Sequence, residues 1–211
     1  MKFSIVLFIA LFVLPVQAED LPWETALAGD NRSADNSARD DSRHPQQTLN
    51  FFGLTAGMTV AEIAPGGGWY TEILAPLLKD KGKYYAAHYS ANGPGGYYRK
   101  SLGKYLQKLG ENNDVYGAVI VTTLQPPSQT SIAPPGSVDL VVAFRNVHSW
   151  MRADSAEQTL AAIYSALKPG GTFGVVQHRA KAGASIESMK KSGYVTERHV
   201  MALAETAGFI F

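Results

Sequence analysis

Short apolar runs alternate along this chain with longer stretches in which apolar residues recur every three or four positions. The two periods belong to strands and helices respectively. The runs Thr59–Ile63, Lys83–His88, Ala118–Thr122, Val138–Phe144 and Thr172–Gln177 predict strands. Between them Trp69–Leu78 reads as a helix, while Tyr98, Leu102, Tyr105, Leu106 and Leu109 form the inward stripe of another. Leu160, Ile163, Tyr164 and Leu167 form a third stripe, and Thr196–Ala207 a further helix with Val200, Leu203 and Ala204 inward. Pro45 can open a short helix in which Leu49 and Phe52 share a face before Gly53 ends it. Lys168-Pro169-Gly170-Gly171 stops a helix and turns into the fifth strand.

Such alternation predicts an α/β fold of the Rossmann-like, doubly wound kind: a mostly parallel sheet with helices on both faces, since right-handed crossovers put them there. Ligands of these sheets sit at the carboxyl ends of the strands. Those ends carry Glu62, His88, Thr122 with Thr123, Arg145 with Asn146, and His178 with Arg179, so polar residues gather on one rim. The loops Gly93–Gly96 and Gln125–Ser137 lie near the same rim and read as connections. The chain has no internal repeat.

The first strand runs into Glu62-Ile63-Ala64-Pro65-Gly66-Gly67-Gly68 and then a helix. Glycine belongs where the chain must turn sharply or admit a ligand to its backbone, and the helix behind offers unpaired N–H groups. In the dinucleotide fingerprint the third glycine would fall at Thr71, which weakens a nicotinamide or flavin reading. The pattern instead resembles the E/D-x-G-x-G-x-G loop of class I S-adenosylmethionine (SAM)-dependent methyltransferases, with Glu62, Gly66 and Gly68 matching and Ala64 in place of the first glycine. A glycine-rich turn that binds nothing is the alternative.

Two further segments resemble the same family in the same order: Val138 to His148 looks like its fourth strand, and Leu167 to Val176 like its L-K-P-G-G turn into strand five. Phe144-Arg145-Asn146-Val147 is similar to quinone-biosynthesis methyltransferases. Arg39–Phe211 as a whole resembles bacterial predicted methyltransferases that carry signal peptides. The resemblance implies SAM as cofactor, with Glu62, Gly66 and Gly68 at its methionine end and Phe144 and Arg145 close to the sulfonium. His88 and Thr122-Thr123 stand where the family commonly has acids for the ribose and near the adenine. Histidine and threonine also hydrogen-bond such groups, more weakly than an ionised carboxylate.

Methyl transfer asks a protein mainly to align the acceptor and exclude water. Where the acceptor must lose a proton, His148 is the expected general base, with Arg145 and Asn146 orienting an oxygen-bearing small molecule. His148 capping the next helix is the plainer alternative. Trp150 and Met151 form either an acceptor wall or core, and His178-Arg179 either touch substrate or end the strand. A metal shared by His148 and His178 lacks a clear third ligand, so no metal site is expected. The remaining functional alternative is an exported SAM-fold protein that binds a small molecule without transferring methyl groups.

Composition adds an address. Lys2, the apolar run Phe3 to Leu14 and Val16-Gln17-Ala18 predict a cleavable signal peptide at 1–18, hence export, in a bacterium to the periplasm. Without Lys2 the basic and acidic residues balance, which leaves no field for nucleic acid, and no later segment could span a bilayer. The chain has no cysteine, which excludes disulfides and thiol catalysis. Residues 19–44 read as a helical N-terminal arm in which Arg39, Asp40, Asp41 and Arg43 form a solvated charged face or close over the site. Residues 45–211 read as the methyltransferase-like domain. Gly208-Phe209-Ile210-Phe211 reads as the start of a sixth strand, after which no residues remain for that fold's C-terminal β-hairpin. The expectation is a truncated domain whose fifth strand is an open edge.

Overall fold

Five parallel strands, β1 (Thr59–Ile63), β2 (Lys83–His88), β3 (Val119–Thr123), β4 (Val138–Phe144) and β5 (Leu167–Val176), form one sheet in the order β3-β2-β1-β4-β5. The computed structural model describes residues 21–211, so the expected signal peptide lies outside the described residues. Central β1 pairs with β2 on one side and β4 on the other, Glu62 standing opposite both Ala86 and Val142. The strand order therefore reverses between β1 and β4, and a crevice opens where successive crossovers leave in opposite directions.

The chain carries helices α1 (Trp23–Ala28), α2 (Ala34–Ser37), α3 (Asp40–Arg43), α4 (Pro45–Phe51), α5 (Thr71–Leu78), α6 (Gly96–Glu111), α7 (Asn113–Tyr116), α8 (Val147–Arg152), α9 (Ala156–Ala166), α10 (Ile186–Ser192) and α11 (Glu197–Thr206). Period-two alternation sends Val60, Tyr84, Ala86 and Val142 into a core with Leu49, Ile73, Leu74 and Tyr105. Their neighbours Ala61, Ile63, Ala87 and Val141 enter a second core, on the opposite face, with Trp150, Leu160, Ile163 and Met189. Both faces of the sheet are thus covered, as the hydropathy pattern predicts.

Several details differ from expectation. The fifth strand begins at Leu167 rather than Thr172: Leu167 pairs with Val138, and an irregularity between Val138 and Leu140 accommodates Gly170 at φ 78°. Leu167 therefore packs from a strand, not a helix. Along α6 only Tyr105 is fully buried and Leu106 is exposed, because the helix meets the sheet along a narrow stripe. Tyr164 is also exposed, its ring lying edge-on to Phe209 at 5.3 Å. Gly208–Phe211 forms no strand: Gly208 turns at φ 100° and the Phe209 N–H bonds to the Ala204 carbonyl (3.1 Å), closing α11 instead of running beside β5.

The arm is solvated only in part: Arg39 and Asp41 are exposed, as expected of a charged face, while other residues are bound in. Leu21 and Ala26 join the core, and Arg32, buried, pairs with Asp40 and lies 3.9 Å from Glu72. Glu72 is fully buried on α5, where it also meets Lys108 and accepts from Asn36 Nδ2 at 2.9 Å. Trp69 Nε1 donates to the Asn36 carbonyl (2.9 Å). Polar residues that look exposed in the sequence thus bolt the arm to the glycine loop and the helix behind it.

Candidate functional site

At the end of β1 the backbone leaves the sheet through Ala64 at φ 47°, Gly66 at φ 62° and Gly68 at φ 82°. Ala64 stands where a glycine is usual, and its left-handed conformation shows the backbone requirement that glycine would meet. The turn is held by Ala64 N–H to the Ala87 carbonyl (2.8 Å) and Gly68 N–H to the Pro65 carbonyl (3.0 Å). A Cβ on Gly68 would meet Lys108 Cδ at 2.9 Å, so this glycine serves close packing against α6. Around Gly66 and Gly67, by contrast, a Cβ would meet nothing within 4 Å. Among the described residues their amides have no acceptor, so the bend presents an open cradle with free donors.

Beneath the cradle lies a buried polar cluster. The Glu62 carboxylate accepts from Tyr84 Oη at 2.5 Å and from Thr71 Oγ1 at 3.4 Å, and Thr71 Oγ1 is 3.1 Å from Tyr105 Oη. Burial pushes the Glu62 carboxyl up to about 7, against the pull of those hydrogen bonds, and pushes the Tyr84 phenol well above its ordinary range. His88 is fully buried beside it. Its Nδ1 accepts from the Tyr89 N–H (2.7 Å), which leaves Nε2 to donate to the Gly66 carbonyl (3.1 Å). Burial lowers the His88 pKa, consistent with a neutral ring. Both nitrogens are committed internally, so His88 braces the loop and has no free group for a ligand.

The crevice beyond is a cavity of about 380 Å³ between the ends of β1 and β2 and helix α8, within the range of small-molecule sites. Ala64, Tyr89, Tyr98, Gln125, His148 and Trp150 are among its walls. Tyr89 and Tyr98 meet edge to face at 4.9 Å. Gln125 Oε1 is buried there without a hydrogen-bond partner. Thr122 and Thr123 do not line it; Thr122 Oγ1 is spent on the Ile132 carbonyl (2.8 Å). A larger groove, about 1000 Å³, runs along β5 and α11 and takes in Gln177 and Arg179 but none of the other candidate site residues.

The end of β4 distributes its residues in three directions. Phe144 stacks on Tyr70 (3.5 Å between centroids, 8° between planes), which fixes one side of the glycine loop. Asn146, buried, donates from Nδ2 to the Ile63 carbonyl (2.6 Å) and so ties β4 to β1. Arg145 is exposed at φ 61°, with its N–H on the Val176 carbonyl (2.7 Å). Ala64 and Arg145, two of the four non-glycine residues with positive φ among the described residues, thus follow the ends of the paired strands β1 and β4, and such strain collects at functional sites.

Of the residues expected to carry chemistry, only His148 enters the cavity wall. Gln177 Nε2 donates to the Gly193 carbonyl (2.8 Å) and lies 3.4 Å from His148 Nδ1, so Nδ1 is the accepting nitrogen and the neutral ring carries its proton on Nε2. Burial lowers the His148 pKa, followed in smaller measure by nearby Arg152, Arg145 and His178, while Gln177 opposes the shift. In this tautomer an uncharged His148 offers its Nε2–H as a hydrogen-bond donor, while its Nδ1 lone pair faces Gln177. No group of three or more His, Asp or Glu among the described residues could hold a metal ion; His178 stacks on Tyr194 at 5.0 Å.

Solved structures with this architecture include a SAM-dependent methyltransferase from Aquifex aeolicus, 21% identical, TM-score 0.62, covering 81% of this chain and 82% of that one. The fold is that of the class I methyltransferases. The [4+2]-cyclase SpnF is also similar (17% identity, TM-score 0.60, 86% of this chain and 60% of that one). So is a possible exported protein from Bordetella parapertussis (15% identity, TM-score 0.55, 82% and 62%). No protein-family model matches the sequence, and no curated protein does. Tyr89, Tyr98 and Gln125 have no place among the expected site residues; an aromatic just past the second strand and a polar residue before Pro126-Pro127 are their only signals in the sequence.

Proposed function

We propose that this chain is a SAM-dependent methyltransferase acting on a small-molecule acceptor. The observation that carries the reading is the open cradle at Gly66 and Gly67, whose unpaired amides lie at the carboxyl end of β1, where the strand order reverses. The residues at that end suit the cofactor: the cradle offers open backbone and free donors for a carboxylate, and the unpartnered Gln125 Oε1 among tyrosines suits the amino group and ring of a base. At the ribose the fit is thinner, since no acid follows β2 and His88 is engaged elsewhere.

When bound, SAM supplies an activated methyl group on sulfur. The chain's own part is placement. Glu62, which keeps its proton up to about pH 7, and His88 stiffen the floor of the loop from below. Tyr70 and Phe144 wall off one side, and His148 Nε2–H and Arg145 orient the acceptor's oxygen. The segment at residues 1–18 supports export as part of the same reading.

A second reading, an exported SAM-fold binder without methyl transfer, draws on the missing ribose acid and on the existence of a cyclase with this fold. Titration calorimetry with SAM and S-adenosylhomocysteine (SAH) tests the cofactor: micromolar binding is expected, and millimolar or absent binding contradicts the methyltransferase reading and favours the second. Release of SAH from SAM in the presence of a pool of small oxygen nucleophiles then separates enzyme from binder.

A further inference from the structure

The arm and the end of β4 carry three guanidinium groups, Arg39, Arg43 and Arg145, with no carboxylate at ion-pair distance among the described residues. Arg39 and Arg43 are one turn apart, the Arg43 N–H bonding to the Arg39 carbonyl (3.0 Å), a spacing that places two like charges on one face and is destabilising by itself. Asp40, between them, is taken by Arg32 through a 2.8 Å hydrogen bond and an ion pair. The Arg43 guanidinium lies 4.4 Å over the Trp69 ring. The next residue, Tyr70, stacks on Phe144, and Arg145 follows in its left-handed conformation. Burial, then Arg39 and in smaller measure Arg145, lower the Arg43 pKa, while Tyr70 and Asp40 oppose the shift. Among the described residues none of the three has an ion-pair partner.

An oxyanion would relieve this arrangement, because arginine's planar fork matches carboxylate and phosphate geometry. The free amides of Gly66 and Gly67 are donors enough for the cofactor's carboxylate, which leaves the guanidiniums to a second molecule. We propose that the methyl acceptor carries an oxyanion, a carboxylate, phosphate or sulfate group, held by Arg43 and Arg145 with Arg39 at the outer edge. That the anion belongs to an acceptor rests on the methyltransferase reading; that an anion binds does not.

The test is calorimetric titration of the protein with inorganic phosphate, sulfate and acetate at constant ionic strength, with and without SAH, and Trp69 beneath Arg43 gives a fluorescence readout of the same event. Saturable binding of at least one anion is expected, weakened about 10- to 100-fold in Arg43→Gln and in the exposed-site variant Arg145→Gln. Arg43→Gln should bind SAH and methylthioadenosine, which lacks the amino-acid end, as the unaltered protein does. The proposal is overturned if a protein that binds SAH shows no saturable anion binding. It is equally overturned if the variants lose SAH but not methylthioadenosine, which would assign the arginines to the cofactor's carboxylate. Arginine-dependent anion binding without any SAH binding would keep the anion site and remove the methyltransferase reading.

Discussion

Replacing Glu62 by glutamine should flatten the dependence of stability on pH between about pH 4.5 and 7. The carboxyl is fully buried and burial raises its pKa from the ordinary 4.5 to about 7, even though Tyr84 and Thr71 donate to it. In the folded protein it therefore keeps its proton through a range in which the unfolded chain has lost it. Stability contributed by the neutral form is complete below the unfolded pKa and is lost as pH rises to the folded pKa. A shift of this size corresponds to about 3 kcal/mol, with no discount for solvent screening because the group is buried. Glutamine keeps the shape and an acceptor for Tyr84 but cannot ionise. Denaturant unfolding of both proteins in steps from about pH 4 to pH 8 should show the unaltered protein losing about 3 kcal/mol relative to the variant across the series. Two parallel curves, separated by a constant gap, would refute the account of Glu62 as a buried, proton-retaining floor to the glycine loop.

Other consequences are as direct. Glu72→Ala should cost about 3 kcal/mol in chemical unfolding, because it leaves buried Arg32 without Glu72 and Lys108 without its partner. The far-surface pair Lys190–Asp154 is the control, and its removal should cost less than about 1 kcal/mol. Gly67→Leu should keep stability within about 1 kcal/mol, since a Cβ there meets open space and φ is ordinary, while SAH binding measured by calorimetry falls at least tenfold. Ala64→Gly should be neutral to stabilising by about 1 kcal/mol in thermal or denaturant unfolding, the relief of a left-handed alanine exceeding the added freedom of the unfolded chain.

The sheet was legible because β1 and β4, largely buried on both faces, read as apolar runs interrupted by only one acid each, and the loop because glycines mark it. His88 could also have been placed: it shares parity with Tyr84 and Ala86 in β2, so alternation alone aims it at the α5 side rather than the cavity. Arg32 and Glu72 could not, since charged residues read as surface until a tertiary partner is known. Gln125 lies in a loop with no period to place it. Phe209 misled as a strand residue because Gly208, the sign of a helix C-terminus, was overridden by the apolar run that follows it.

The central claim is that the bend at Gly66 and Gly67 is a cofactor cradle, and amide NMR of the isotope-labelled protein during SAH addition tests it most directly. The account predicts the largest shifts at Gly66, Gly67 and the Gln125 side chain, with slowed exchange of the two glycine amides. Shifts confined to the groove along β5 and α11, or none at millimolar SAH, would contradict it.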